Sequence, residues 1–235
     1  MSESAVQLLD AVRAELAPAP DANRFVAEVA RGGAPLSSVA ALAAEESRVV
    51  PSDRRSFLFL AARAADTVAG EFFSALAAGE SQAAVTLAPL AEAAGMDQAA
   101  LAAYQVRPQA QAYPAYVAWL ALNADPAEVV IATVANFAAW GSYCAALGTA
   151  LRADYGFGDD ACAFFDFFAG GAQELERLAV DAVAQALSAG QPLARAREYG
   201  RLLQGYELMF WDMLADLPAP PDSSDGRRRP IGPAS

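Results

Sequence analysis

Alanine recurs through almost every stretch of this chain, and β-branched residues seldom run together. Alanine gives up no side-chain entropy on entering a helix and is the strongest helix former. The local preference is therefore helical throughout. Glycine, proline and capping residues then decide where each helix stops. With 235 residues, 55% of them hydrophobic and 19% charged, the chain can fill one well-packed core and is small for two.

Reading these punctuation marks in order gives a path of helices. Ser4 to Leu16 forms the first, ended by the APAP segment at 17–20. Asp21 or Asn23 caps a second, with Phe25, Val26 and Val29 on its apolar face, and Gly32-Gly33 ends it. Ser37 or Ser38 caps a third, which runs to about Val49 before Pro51. Ser52-Asp53 opens a long helix through about Ala78, striped by Phe57, Leu60, Ala64, Val68 and Phe72. Further helices are expected over Ser81–Ala94, from Met96-Asp97 to the break at Arg107-Pro108, and over Tyr113–Leu122. Asp125-Pro126 starts one that reaches Asp154, with the proline in the first turn. Asp159-Asp160 caps another from Ala161 to Ser188, and the last spans Leu193–Leu217. The result is roughly eight to ten helices and no strands, an all-α bundle over residues 1–217, with 218–235 as a disordered tail.

Charge narrows the partners. The net charge is −12 and the pI about 4.4. Such a surface repels phosphate backbones and disfavours general nucleic-acid binding. The basic run Arg227-Arg228-Arg229 is too short to read as more than a solvated tail. Gly, Pro or charges interrupt each apolar run, so no membrane span is expected. The start MSESAVQLLDAV has no leader pattern, and a domain of this size needs no disulfide between Cys144 and Cys162. A cytoplasmic protein with reduced thiols is the expectation.

The chain has no histidine. That removes the usual haem ligand, His-ligated metal sites and every Ser-His or Cys-His nucleophile. Neither a metal nor a cofactor is expected. Acid–base chemistry must come from carboxylates, Tyr or Cys.

Three places could carry such chemistry. Glu45-Glu46 sits in an apolar helix, either on a solvated face beside Arg48 or with a carboxylate turned to a central pocket. Trp140 and Cys144 share a helix face, with Tyr143 between them. Cys144 is either a small buried hydrophobe or a thiol in a polar, open setting. Glu207 stands among Tyr206, Leu208, Met209, Phe210 and Trp211. Burial there would be costly without a partner and would raise its pKa toward the range of proton transfer.

The order of these elements from about Phe25 to Asp216 resembles the TenA (thiaminase II) family, which has a heme oxygenase-like fold. The matching stretches are Phe25-Val26 through Gly32-Gly33 and Pro35-Leu36, Ala112-Tyr113-Pro114-Ala115-Tyr116, and Tyr143 to Leu151 with Gly148. The most specific is Glu207-Leu208-Met209-Phe210-Trp211, similar to the family's closing E-x-x-F-W. The resemblance implies a small-molecule site for a heterocycle and hydrolysis of an aminopyrimidine in thiamin salvage, with a Cys nucleophile and a Glu that moves the proton. It also implies a homo-oligomer. Carried over by position, Glu207 is the catalytic Glu, Phe210 a neighbouring aromatic, Tyr113 a pocket Tyr, and Glu46 replaces a pocket Asp.

This chain also departs from the family pattern. Aligned on Gly148, the nucleophilic Cys falls on Trp140 and its preceding Pro on Ala139. Cys144, the remaining candidate nucleophile, lies one turn later, where the family has a pocket Tyr. The spacing back to Ala127-Glu128 is longer by about one turn, which allows a shifted register. Phe168 and Val49 stand where pocket tyrosines are expected, so a more apolar pocket follows. Glu207 and Cys144 are the catalytic candidates, and Glu46, Tyr113, Trp140, Tyr143, Phe168 and Phe210 the binding candidates. The alternative is a non-catalytic or differently specific binding protein on the same fold.

Overall fold

A computed structural model describes residues 4–19, 21–171 and 173–218. The expected tail, with Arg227-Arg229, falls almost wholly outside these residues. Among those described there are ten helices and no strands: α1 (Ala5–Leu16), α2 (Arg24–Val29), α3 (Leu36–Arg63), α4 (Val68–Ala93), α5 (Gln98–Ala103), α6 (Pro108–Asn123), α7 (Pro126–Asp154), α8 (Asp159–Ala169), α9 (Gln173–Ser188) and α10 (Ala196–Ala215). Several start signals act as read. Ser4 forms a capping box with Gln7, Asn23 and Asp97 cap α2 and α5, and Asp125 caps α7 with Pro126 behind it.

Several boundaries differ from expectation, and α6 begins at Pro108 rather than Tyr113. The helix from Leu36 does not stop before Pro51 but continues to Arg63. Pro51 lies on the exposed face, so the Ser47 carbonyl that loses its amide partner is on the side turned to solvent. The break comes later, at Ala64–Thr67, where the Thr67 hydroxyl caps α4 by accepting from the Gly70 amide at 3.3 Å. From there α4 runs unbroken through Ser81 to Ala93. The expected single helix from Ala161 to Ser188 is two, parted at Gly170 and Gly171. Gly171 has φ of +74°, a left-handed conformation that favours glycine.

Helices α3 and α4 form the principal antiparallel pair, and α6 and α10 pack beside them. Helix α7 runs through the middle, in contact with α1, α2, α4, α8, α9 and α10. It is the one described helix long and apolar enough to cross a membrane, with an 18-residue window of mean hydropathy 1.4. Gly141 and Gly148 interrupt its apolar run as expected, yet by length and composition the helix still passes that test. A helix packed on several sides by partners reads as hydrophobic all round.

The apolar interior divides into two cores. One gathers α1, Phe57 and Leu60 of α3, Ala69–Ala77 of α4, Ala127–Ala135 of α7, α9, and Tyr199 and Leu203 of α10. The other gathers α2, Val39–Ala43 of α3, Ala83–Ala91 of α4, Cys144–Leu151 of α7, α8 and Phe210–Leu214 of α10. Between them the long helices cross a seam, and there their buried faces turn polar: Glu46 and Asp53 on α3, Glu80 on α4, Asn136 on α7, Glu207 on α10.

Candidate functional site

The seam encloses a cavity of about 50 Å³, several times what one water molecule requires. Helix α3 contributes Glu46, Val49, Val50 and Asp53 to its wall, α4 Glu80, and α6 Ala110 and Tyr113. Helix α7 adds Asn136, Phe137 and Trp140, α8 Phe168, and α10 Glu207 and Phe210. A wider outer groove of about 400 Å³ shares Glu80, Phe137, Trp140 and Phe168 with the cavity. These four residues form the partition between the two spaces.

Glu207 is buried and held from both sides. Trp211 donates its indole N–H to Oε1 at 2.8 Å, and the Asn136 amide donates to Oε2. The Tyr113 hydroxyl donates in turn to Asn136 Oδ1, at 3.5 Å. Burial pushes the Glu207 carboxyl up to about 7, against the two hydrogen bonds, which pull it down. A carboxyl that titrates near neutrality beside a cavity can both give and take a proton.

Glu45 and Glu46 separate. Both are buried, so the solvated-face reading does not hold, and Arg48 is exposed. Glu45 Oε1 accepts from the Tyr104 hydroxyl at 2.9 Å and the Arg107 amide at 3.0 Å, which ties the entry to α6 onto α3. Glu46 lines the cavity. Burial, then the charges of Glu80, Glu207 and Glu45, hold its carboxyl well above the ordinary value.

The structure brings Glu46, Tyr113, Trp140, Phe168, Glu207 and Phe210 together at one cavity. Trp140 meets Phe168 edge-on with centroids 5.6 Å apart and lies tilted against Trp211 at 5.4 Å. Phe210 is edge-on to Trp211 at 5.2 Å. Cys144 and Tyr143 are not in the lining. Cys144 is fully buried in the core with Leu147 and Trp211, and burial, then the charges of Glu46 and Glu207, raise its thiol well above the usual value. That environment disfavours the thiolate a nucleophile needs. Tyr143 packs its ring edge against Trp211 at 5.7 Å, its phenol pushed up to about 12 by burial.

Sequence reasoning missed Asn136, Asp53, Glu80 and the donor role of Trp211. For Asn136 a signal was present. The α7 spacing is one turn longer than the family pattern, and the residue one turn before Trp140 is the one that reaches Glu207.

The ten helices among the described residues have the heme oxygenase-like fold. The fold matches a domain of unknown function with a heme oxygenase-like fold from Shewanella denitrificans OS217, with TM-score 0.63, 14% identity, and coverage of 89% of this chain and 88% of that one. It also matches a TenA family transcription regulator from Silicibacter sp. TM1040, with TM-score 0.62, 17% identity, and coverage of 92% of this chain and 100% of that one. No curated protein sequence matches. The sequence profile of the TENA/THI-4/PQQC family matches residues 24–217, and the chain belongs to that family.

Proposed function

We propose that the cavity binds an aminopyrimidine-type heterocycle in a thiamin-related role and that Glu207 moves the proton in its hydrolysis. The observation that carries this reading is the Glu207 carboxyl, buried at the cavity wall, fixed by Trp211 and Asn136, and poised at about 7. Family membership supports the thiamin connection. The aromatic walls suit a flat ring, and Glu46 offers an acceptor or donor to a ring nitrogen or amino group.

With Cys144 outside the lining, water is the nucleophile. Its oxygen adds to the ring carbon that bears the exocyclic amine while Glu207 takes a proton from it. Glu207 then returns the proton to the departing nitrogen, and ammonia leaves as the C–N bond breaks. One water is consumed and one hydroxyl replaces one amine. Glu207→Gln keeps the two hydrogen-bond acceptor positions only in part and cannot carry the proton. Ammonia release from 4-amino-5-aminomethyl-2-methylpyrimidine is expected to fall by about a hundredfold or more, with binding by calorimetry retained. Unchanged turnover in that variant would remove Glu207 from the role.

A second reading, a binding protein without turnover, draws on the absence of a thiol from the lining among the described residues. Calorimetric binding of the same compound with no ammonia released from the wild type selects it.

A further inference from the structure

Two carboxylates in the cavity have no part in the chemistry above. Asp53 and Glu80 line it from α3 and α4, and they are only 5% and 8% exposed. The next residues along each helix are bonded: Arg54 Nε donates to Ser81 Oγ at 2.7 Å, which sets Asp53 and Glu80 at the same level. Asp53 Oδ1 is buried with no hydrogen-bond partner. No described donor reaches Glu80, and no Lys or Arg stands in the lining. Arg54 is spent on Ser81 at the exposed surface. A buried carboxylate left without a partner is costly, and the usual remedy is a bound cation or a proton.

We propose that Asp53 and Glu80 form a second subsite, which takes the ammonium group of an organic amine, so that the cavity's ligand is a cation. The proposal rests on the reading that this cavity is the ligand site and adds the charge of the ligand. Trp140, Phe137 and Phe168 line the same space, and aromatic rings attract a desolvated ammonium. Among the described residues no three Asp, Glu or Cys side chains converge in a way that could hold a metal ion, whereas an –NH₃⁺ group needs only separated acceptors for its three N–H bonds. Glu80 also borders the outer groove, so the subsite sits where the two spaces adjoin.

Protonation follows from this geometry. Asp53 faces Glu80 and Glu46, and Tyr113 from α6 and Glu207 from α10 close the cluster, all acidic. Burial favours the neutral forms of Asp53, Glu46 and Glu80 while no cation is present. An arriving ammonium stabilises the carboxylates, and protons leave for solvent. Cation binding is therefore linked to proton release and strengthens as pH rises.

Calorimetry on the full chain tests this with two matched pairs: 4-amino-5-aminomethyl-2-methylpyrimidine against its neutral 5-hydroxymethyl analogue, and 1,4-diaminobutane against 1,4-butanediol. The amine of each pair is expected to bind about thirtyfold or more tightly than its neutral counterpart, with protons released in buffers of differing ionisation enthalpy. Asp53→Asn and Glu80→Gln should each erase most of that ratio and leave the neutral member unchanged. If both pyrimidines bind equally and the ratio ignores these variants, the ammonium subsite is overturned while the pyrimidine site stands. If the diamine binds and neither pyrimidine does, the subsite stands and the pyrimidine reading falls. Binding of none of the four overturns both. The wild-type comparison is decisive even if a variant folds poorly.

Discussion

Glu207 shows how a single side chain can be tuned by opposed effects. Removal from water favours its neutral form, and the donors Trp211 and Asn136 favour its charged form. The balance near neutrality needs both. Taking away one donor leaves burial less opposed, so the carboxyl must titrate higher. Trp211→Phe and Asn136→Leu are each expected to move the apparent pKa of Glu207 upward by about one to two units, since a hydrogen bond to a charged group is worth that much. The pH profile of ammonia release, or carbon-detected NMR titration of Glu207, reads the shift. A downward or null shift in both variants would mean that the two donors do not hold the carboxylate. Glu207 was legible in the sequence for a physical reason, because an acid at the centre of a strongly apolar stretch conflicts with its surroundings. Asn136, a neutral amide in an alanine-rich helix, creates no such conflict and left only the longer spacing as a trace.

At the scale of the helix, the other acids were hidden by where the elements were expected to end. A helix ended before Pro51 makes Asp53 part of a start signal, and one ended at Ala78 leaves Glu80 in a connection. In the structure α3 passes through Pro51 and α4 passes through Ser81. Asp53 then falls on the buried stripe with Val49, Val50, Phe57 and Leu60, and Glu80 on that with Phe73, Leu76, Ala83 and Leu87. Their polarity becomes informative only once the helix is known to continue. The true break is set by packing: an added Cβ at Gly70 would lie 2.2 Å from the Ala64 carbonyl oxygen and 3.3 Å from that of Ala61. Backbone cannot move aside as a side-chain tip can. Gly70→Ala is therefore expected to cost about 1–3 kcal/mol in urea unfolding, as overpacking does. Gly205→Ala on α10, where nothing lies within 4 Å, should do the reverse and stabilise by up to about 1 kcal/mol through helix propensity. Equal effects of one sign at both sites would contradict the close approach at the α3–α4 corner.

The whole molecule places two apolar cores on either side of an acidic seam, and this makes stability depend on pH in a definite direction. In the folded chain the carboxyls of Glu46, Asp53, Glu80 and Glu207 are all raised, Glu207 to about 7 and Glu80 to about 8. Below their ordinary values the four are protonated in folded and unfolded chains alike, and the stability they confer as neutral groups is fully present. As pH rises from about 4.5 toward about 8, the unfolded chain gives up protons that the native chain retains. The unfolded state then binds fewer protons, so stability falls, and it is lost once the folded values are passed. Exposed pairs such as Arg177 with Glu174 and Arg195 with Glu198 act oppositely, because their glutamates are lowered and lose support in acid, but exposed pairs contribute little. The net charge of −12 adds self-repulsion in the same direction as the seam. The urea midpoint is expected to be highest near about pH 5 and to drop by about pH 8.5, with a loss on the order of 5 kcal/mol. Glu80→Gln cannot ionise and should flatten the fall without lowering stability at the acid end. A bound ammonium ligand should flatten it too, because the seam is then charged and paired. A wild-type midpoint that holds level or climbs between those pH values would show that the seam's carboxylates are already ionised and paired without a ligand.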